Sequence, residues 1–197
     1  MALFLFCLAV LTLYLCCLPR DLFPDVPYST VVEARGGELL GARTAEDGQW
    51  RFPPADTVPE RYAVCLIQFE DRHFYAHHGV NPAAIVRAAL QNIRSGRTVS
   101  GGSTITMQVI RLSRASAVAR AAMNSLSNGQ GHPEGSHQKT VQAPERTLME
   151  KVVEALLATR LELRCSKQEI LSLYAAHAPF GGNVVGIEAA SRRYFGR

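Results

Sequence analysis

From Met1 to Pro19 the chain reads MALFLFCLAVLTLYLCCLP, with no charged side chain, and Arg20 and Asp21 close the run. As a helix rising ~1.5 Å per residue, it covers most of a ~30 Å hydrocarbon core, at the short end of what a transmembrane helix needs. A secretory signal peptide is the competing reading, but neither a basic n-region nor a small-x-small cleavage site is visible. The expectation is therefore a transmembrane anchor (or signal) over residues 1–19. No Lys or Arg precedes the run, which weakens any orientation drawn from the positive-inside rule, and a misplaced start codon would account for that.

The remainder has the balance of one globular domain. Lys and Arg number 21 against 17 Asp and Glu in 197 residues, so the net charge is +4, mildly basic and short of a nucleic-acid signature. Hydrophobic residues at 47% and charged residues at 19% exclude a disordered chain. Three of the five cysteines, Cys7, Cys16 and Cys17, lie in the apolar run, and Cys65 and Cys165 stand alone. No disulfide framework, zinc ribbon or thioredoxin motif can be written from them.

Residues 20–56 read as an extended linker and a β hairpin. Pro24 and Pro27 make the spacer, and TVVEARGGELLGAR suggests two short strands around Gly36-Gly37. Pro59 opens a helix, ERYAVCLIQFED, apolar on nearly every side and therefore expected to be buried. Asn81-Pro82 caps a further helix that Ser95-Gly96 stops, with Arg87, Gln91 and Arg94 on one polar face. Another helix starts at Gly101-Gly102-Ser103 and runs through ITMQVIRL. Residues 113–145 shift to Ser, Gly, Asn, Gln, His and Pro, the pattern of a flexible excursion. A helix from about Thr147 to Leu163 follows. Ser166 and Glu169 form a capping box for KQEILSLYAAH, and VVGIEAASRRYF makes a last segment.

The densest group of reactive side chains is EDRHFYAHHGVN, Glu70 to Asn81. A carboxylate at the C-terminal end of a buried helix meets two influences that oppose its charge, desolvation and the negative end of the helix dipole, which is how a general acid or base is tuned. A surface salt-bridge corner of Glu70, Asp71 and Arg72 is the ordinary alternative. His73 and His77 stand four apart, but no H-E-x-x-H accompanies them, so no metal site is expected. SGGSTITMQ, Ser100 to Gln108, sets a hydroxyl cap and free backbone N–H groups at a helix start, where an anion is favoured; an ordinary N-cap is the alternative, and no Walker A pattern is present. In the helix after Thr147, Leu148, Val152, Ala155, Leu156, Thr159 and Leu163 make an apolar stripe, and the ordinary reading of the charged face beside it is an i, i+3 ion pair in solvent. Lys151, Glu154, Ala158 and Glu162 line a neighbouring face.

Read together, EDRHFYAHHGVNP, SGRTVSGGSTITMQVIRL, the R-x-x-x-x-K-x-x-E of Arg146, Lys151 and Glu154, and KQEILSLYAAHAPFGGNVVGIEAASRRYFG occur in an order that resembles family 51 glycosyltransferases, the peptidoglycan polymerase domain of class A penicillin-binding proteins. The resemblance covers about Val31 to Gly196, less the excursion. It implies a mainly α, lysozyme-like glycosyltransferase domain over residues 57–197, C-terminally incomplete. That domain would lie on the periplasmic, outer side of the bacterial cytoplasmic (inner) membrane, held by a single-pass anchor.

The implied reaction polymerises lipid II into β-1,4-linked glycan strands with release of undecaprenyl pyrophosphate. By resemblance Glu70 is the base and Glu154 the second catalytic carboxylate. Asp71, Arg72, His77, Gly102, Ser103, Thr104, Gln108, Arg146 and Lys151 are the implied substrate-binding residues. No cofactor is required, although a divalent cation, Mg or Mn, is implied at the pyrophosphate. The implied partners are lipid II, the growing glycan chain, the membrane and other cell-wall synthesis proteins, with no nucleic acid.

The chain departs from the family at Tyr174-Ala175-Ala176, where the pattern has Y-L-N. Ser136 and Lys139 spell S-x-x-K without S-x-N or K-T-G, so penicillin binding is not expected. Two other readings stand beside polymerisation: a truncated noncatalytic module that binds lipid II or a membrane partner, and a lysozyme-like glycan-cleaving enzyme. SGGSTITMQ suits a lipid-phosphate donor better than a neutral glycan.

Overall fold

The computed structural model describes residues 1–55, 57–128 and 147–196. Helix α1 (Ala2–Cys16) is apolar, and Leu3, Phe4, Phe6 and Leu13 are exposed on it. Its 15 residues measure ~22 Å at ~1.5 Å per residue, short of a ~30 Å hydrocarbon core. No helix among the described residues is long and apolar enough to cross a membrane. The end of α1 has its cause just beyond Cys16. Pro19 cannot continue a helix, and Leu18, Leu22 and Phe23 turn inward and join the protein core. The end of α1 is tied to the body by Tyr14 Oη to Thr159 Oγ1 at 3.0 Å and by Arg160 Nε, which donates to the Leu15 carbonyl at 3.1 Å.

The hairpin forms where expected: β1 (Thr30–Glu33) pairs antiparallel with β2 (Leu39–Arg43), with Val31 opposite Ala42. A second contact, between β3 (Trp50–Arg51) and β4 (Val184–Val185), is parallel and joins segments far apart in sequence. Phe52, Val184, Ala189 and Ala190 form a small core beneath it.

The helical body comprises α2 (Glu60–Glu70), a 3-10 turn at Phe74–Ala76, α3 (Pro82–Ser95), α4 (Ile105–Asn128), α5 (Leu148–Glu162), α6 (Lys167–His177) and α7 (Ile187–Phe195). The caps read from the sequence are present. The Asn81 side chain accepts from Ala84 N at 3.0 Å, Gly96 ends α3 in the left-handed region, and Ser166 and Glu169 cap α6 reciprocally. The main core lies among α4, α5 and α6, where Ile105, Val109, Ile110, Leu161, Ile170 and Leu171 are buried with Phe74.

Three expectations are overturned. α2 is half a surface helix: only Leu66 is buried along it, and Phe69 is 91% exposed. No excursion is found over residues 113–128, because α4 continues to Asn128. The stretch RASAVARAAMNSL is rich in alanine and straight-chain residues, which favour helix without needing a partner. Residues 129–146, with the S-x-x-K of Ser136 and Lys139 and with Arg146, lie outside the described residues. Third, α5 faces the opposite way. Leu148, Val152, Leu156 and Leu163 are exposed, and Glu154, Ala158 and Leu161 are buried. The polar members of the buried face have ion-pair partners on α4 and α6, so burying them is tolerated. Gly79 explains how close the site loop comes to this helix. Its φ is +89°, and a Cβ there would lie 2.6 Å from the Ala158 carbonyl carbon.

Behind the core, Phe23 stacks on His177 with ring centroids 3.6 Å apart and planes 8° from parallel. Burial, reinforced by Arg51 and opposed by Asp21, lowers the His177 pKa to about 4. The folded state therefore resists a proton that the unfolded chain accepts near pH 6.5. Stability from this group is complete above pH 6.5 and is lost as pH falls toward 4, amounting to roughly 2–3 kcal/mol. A His177→Phe variant should keep the stack and lose this contribution to the pH slope, measured by denaturant unfolding at pH 7 and pH 4.5. An unchanged slope would contradict the assignment.

Candidate functional site

The site begins where α2 stops. Asp71 leaves helical geometry while its N–H still donates to the Ile67 carbonyl at 3.0 Å, so Glu70 and Asp71 point to different environments. Asp71 turns inward. Its Oδ2 accepts from Ile105 N at 3.2 Å, at the first turn of α4, and lies 2.8 Å from His77 Nε2. His77 Nδ1 is buried with no hydrogen-bond partner, so the tautomer with hydrogen on Nε2, donating to Asp71, fits the geometry. Glu70 is exposed and lines a cleft of about 500 Å³ with Arg72, His73, Arg87 and Ser103. The burial expected to act on Glu70 is therefore absent. Its Oε2 accepts from Gln108 Nε2 at 2.7 Å.

The loop into α4 is organised by contacts within the protein. Gly102 packs against α3, where a Cβ would meet Ile85 Cα at 2.8 Å. Thr104 Oγ1 donates to the Gly79 carbonyl at 2.6 Å and accepts from Met107 N at 3.1 Å. Since Asp71 and Thr104 occupy Ile105 N and Met107 N, the negative charge attracted to this helix start is the chain's own Asp71. Ser103 is different: it lines the cleft, and its Oγ accepts from Arg111 Nη2 at 3.2 Å. Arg111 also bonds Glu154 twice, Nε to Oε1 at 3.3 Å and Nη2 to Oε2 at 3.0 Å. Glu154 is 3% exposed, so it holds the guanidinium from behind.

Of the residues singled out in the sequence, Glu70, Arg72 and Ser103 line the cleft, and Gln108 reaches it through Glu70. Asp71, His77 and Thr104 are nine-tenths or more buried and serve the framework, Asp71 and Thr104 backing the cleft wall. Lys151 is exposed on α5 and does not line this cleft. Arg111 and Lys167 are additions, and Glu162 and Tyr174, named in the sequence only as part of a helix face and of a departure from the family pattern, join them. Arg111 was legible in principle, since it follows Gln108 by three positions on the same helix.

Beneath the cleft, Glu162 Oε1 accepts from Thr106 Oγ1 at 2.6 Å and from Lys167 Nζ at 2.8 Å. Lys167 also donates to the His77 carbonyl at 2.7 Å and lies 4.4 Å from the Phe74 ring centroid. Lys167→Met should destabilise the protein by about 3 kcal/mol, because Glu162 would remain buried without its cation. Adding Glu162→Leu should restore much of that loss in the same unfolding assay, whereas an additive further loss would contradict the pairing.

The comparisons identify the class of domain to which this cleft belongs. A family model described as transglycosylase matches residues 37–197, and the chain belongs to that family. It is 40% identical to penicillin-binding protein 1C of Escherichia coli K12 over 174 residues, 88% of this chain and 19% of that protein. It is 37% identical over 142 residues to penicillin-binding protein 1A of Aquifex aeolicus, 72% of this chain and 16% of that protein. Against penicillin-binding protein 1B of Haemophilus influenzae it is 35% identical over 180 residues, 87% and 19% of the two chains. The chain thus spans about a fifth of the length of these relatives.

Proposed function

We propose that the chain is a peptidoglycan glycosyltransferase with a lysozyme-like body that joins lipid II units into β-1,4-linked glycan. The observation that carries this reading is the exposed Glu70 carboxylate at a cleft lined by Arg72 and Arg87, with Arg111 held beside Ser103. In the proposed step, Glu70 takes the proton from the 4-hydroxyl of an acceptor GlcNAc. The oxygen forms a bond to the anomeric carbon of the donor, and the bond from that carbon to the pyrophosphate oxygen breaks with inversion. The leaving undecaprenyl pyrophosphate keeps the bonding electrons, and its charge is met by arginines of the cleft wall. Glu154 contributes by orienting Arg111.

Among the described residues no group of three His, Cys, Asp or Glu side chains could hold a metal ion. A divalent cation that takes part would arrive with the pyrophosphate of the donor. Ala176, where the family pattern has asparagine, borders a separate cavity of about 20 Å³ with Phe52 and Gly186, away from Glu70. The apolar surface of α1 supports placing the domain at the outer face of the bacterial cytoplasmic membrane, beside a lipid-linked substrate.

Labelled lipid II incubated with the detergent-solubilised chain should yield glycan ladders on a gel. Glu70→Gln should abolish them while leaving the melting temperature within ~1 °C, since an exposed side chain contributes little to stability. Near-normal turnover in Glu70→Gln would sink the assignment of the base. Shortened glycan strands in place of ladders would favour a cleaving enzyme.

A further inference from the structure

We propose that Tyr174 is a positioning residue which, through Gln108, orients the Glu70 carboxylate for proton transfer; this rests on the role of Glu70 proposed above. Three elements meet here. Tyr174 on α6 places its hydroxyl 3.3 Å from Gln108 Oε1 on α4, and Gln108 Nε2 lies 2.7 Å from Glu70 Oε2 at the end of α2.

The direction of the chain of hydrogen bonds follows from the groups themselves. An ionised carboxylate only accepts, so Gln108 must turn its NH2 toward Glu70. Its carbonyl oxygen then faces Tyr174, whose hydroxyl must donate.

The supports of this relay are firm where its end is loose. Tyr174 is half-buried between the buried Leu171 and Ala175, whereas Glu70 is exposed and would otherwise sample several rotamers. Burial, and secondarily the charge of Glu70, raise the Tyr174 pKa, with Arg111 opposing, so the phenol keeps the proton it donates. Gln108 engages Oε2 of Glu70 and leaves Oε1, which makes no hydrogen bond to the described residues, to receive the proton of an acceptor hydroxyl. A second tyrosine, Tyr62, also has its pKa raised, by burial first and then by Tyr174 and Glu70, and it adds to the apolar wall behind the relay. Nothing in the spacing of Glu70, Gln108 and Tyr174 along the chain announces this line.

The test compares the full chain with Tyr174→Phe, Gln108→Met and the double variant in lipid II polymerisation. Tyr174→Phe removes one oxygen and should lower kcat about fivefold, the effect of one hydrogen bond, with KM within about twofold and the melting temperature unchanged. Gln108→Met should lower kcat further, and the double variant should match Gln108→Met alone, because Tyr174 acts only through Gln108. An unchanged kcat in Tyr174→Phe, or effects that multiply in the double variant, would overturn the proposal.

A readout independent of turnover separates this proposal from the one it rests on. In the 15N-labelled chain, the side-chain amide resonance that disappears in Gln108→Met should move in both Tyr174→Phe and Glu70→Gln. Movement in both without any polymerisation would leave the relay standing and remove the proposed role of Glu70. No movement in Tyr174→Phe would overturn the relay whether or not the chain polymerises.

Discussion

The carboxylate of Asp71 is the joint on which the site is assembled. While the Asp71 backbone N–H closes α2, the carboxylate accepts the N–H of Ile105 at the start of α4 and pairs with His77 from the segment between α2 and α3. Burying a carboxylate is expensive unless donors replace its water, and a helix N-terminus with its partial positive charge offsets much of that cost. The consequence is geometric. Because Asp71 is pinned to the first turn of α4, its neighbour Glu70 lies within reach of Gln108, the next turn of that helix. Adjacent acidic residues thus divide the work: the buried one sets the frame and the exposed one meets solvent in the cleft.

The same logic explains why α5 presents its polar face inward. Glu154 and Glu162 lie eight residues apart, about two turns, and each meets a cation or hydroxyl from another helix: Arg111 on α4 for the first, Lys167 on α6 and Thr106 on α4 for the second. A core closed by ion pairs is less forgiving than an apolar one, because each charge depends on its partner for solvation. It is also directional. Apolar helices can slide against one another at little cost, whereas doubly bonded Arg111 and Glu154 fit one register. The outward apolar stripe of Leu148, Val152 and Leu156 is the counterpart of that choice.

Local signals in the sequence carried the helix boundaries well. Asn81-Pro82, Ser166 with Glu169, and the glycines around residue 37 act over a few residues and were readable as they stood. Periodicity alone failed at α5, where the amphipathic rule assumes that the charged face is wet and ion pairs from α4 and α6 reverse it. It failed again at α2, where an all-apolar look concealed one buried and one exposed side. The pairing of Trp50–Arg51 with Val184–Val185 was out of reach, since two-residue strands far apart in sequence leave no local pattern. At the site, residue types were legible and their division of labour was not. Asp71, His77 and Thr104 have the chemistry of ligands, and only the fold shows that Asp71 Oδ2 and His77 Nε2 are spent on each other and on Ile105, and Thr104 Oγ1 on Gly79 and Met107.

The N-terminal segment bears on the cleft through the back of the core. Leu22 and Phe23 are buried there. Ser113 Oγ on α4 donates to the Leu22 carbonyl at 2.6 Å, and Arg120 further along α4 donates to the Pro24 carbonyl. The helix that supplies Gln108 and Arg111 to the site is thus gripped, one to three turns later, by the peptide that follows α1. Phe23 also stacks on His177, one turn after Tyr174 on α6. The residues after the apolar helix therefore brace both α4 and α6, the two elements whose spacing brings Tyr174 to Gln108. Loosening this brace would relax the site without touching any residue that lines it, so the leading segment belongs to the working architecture of the domain.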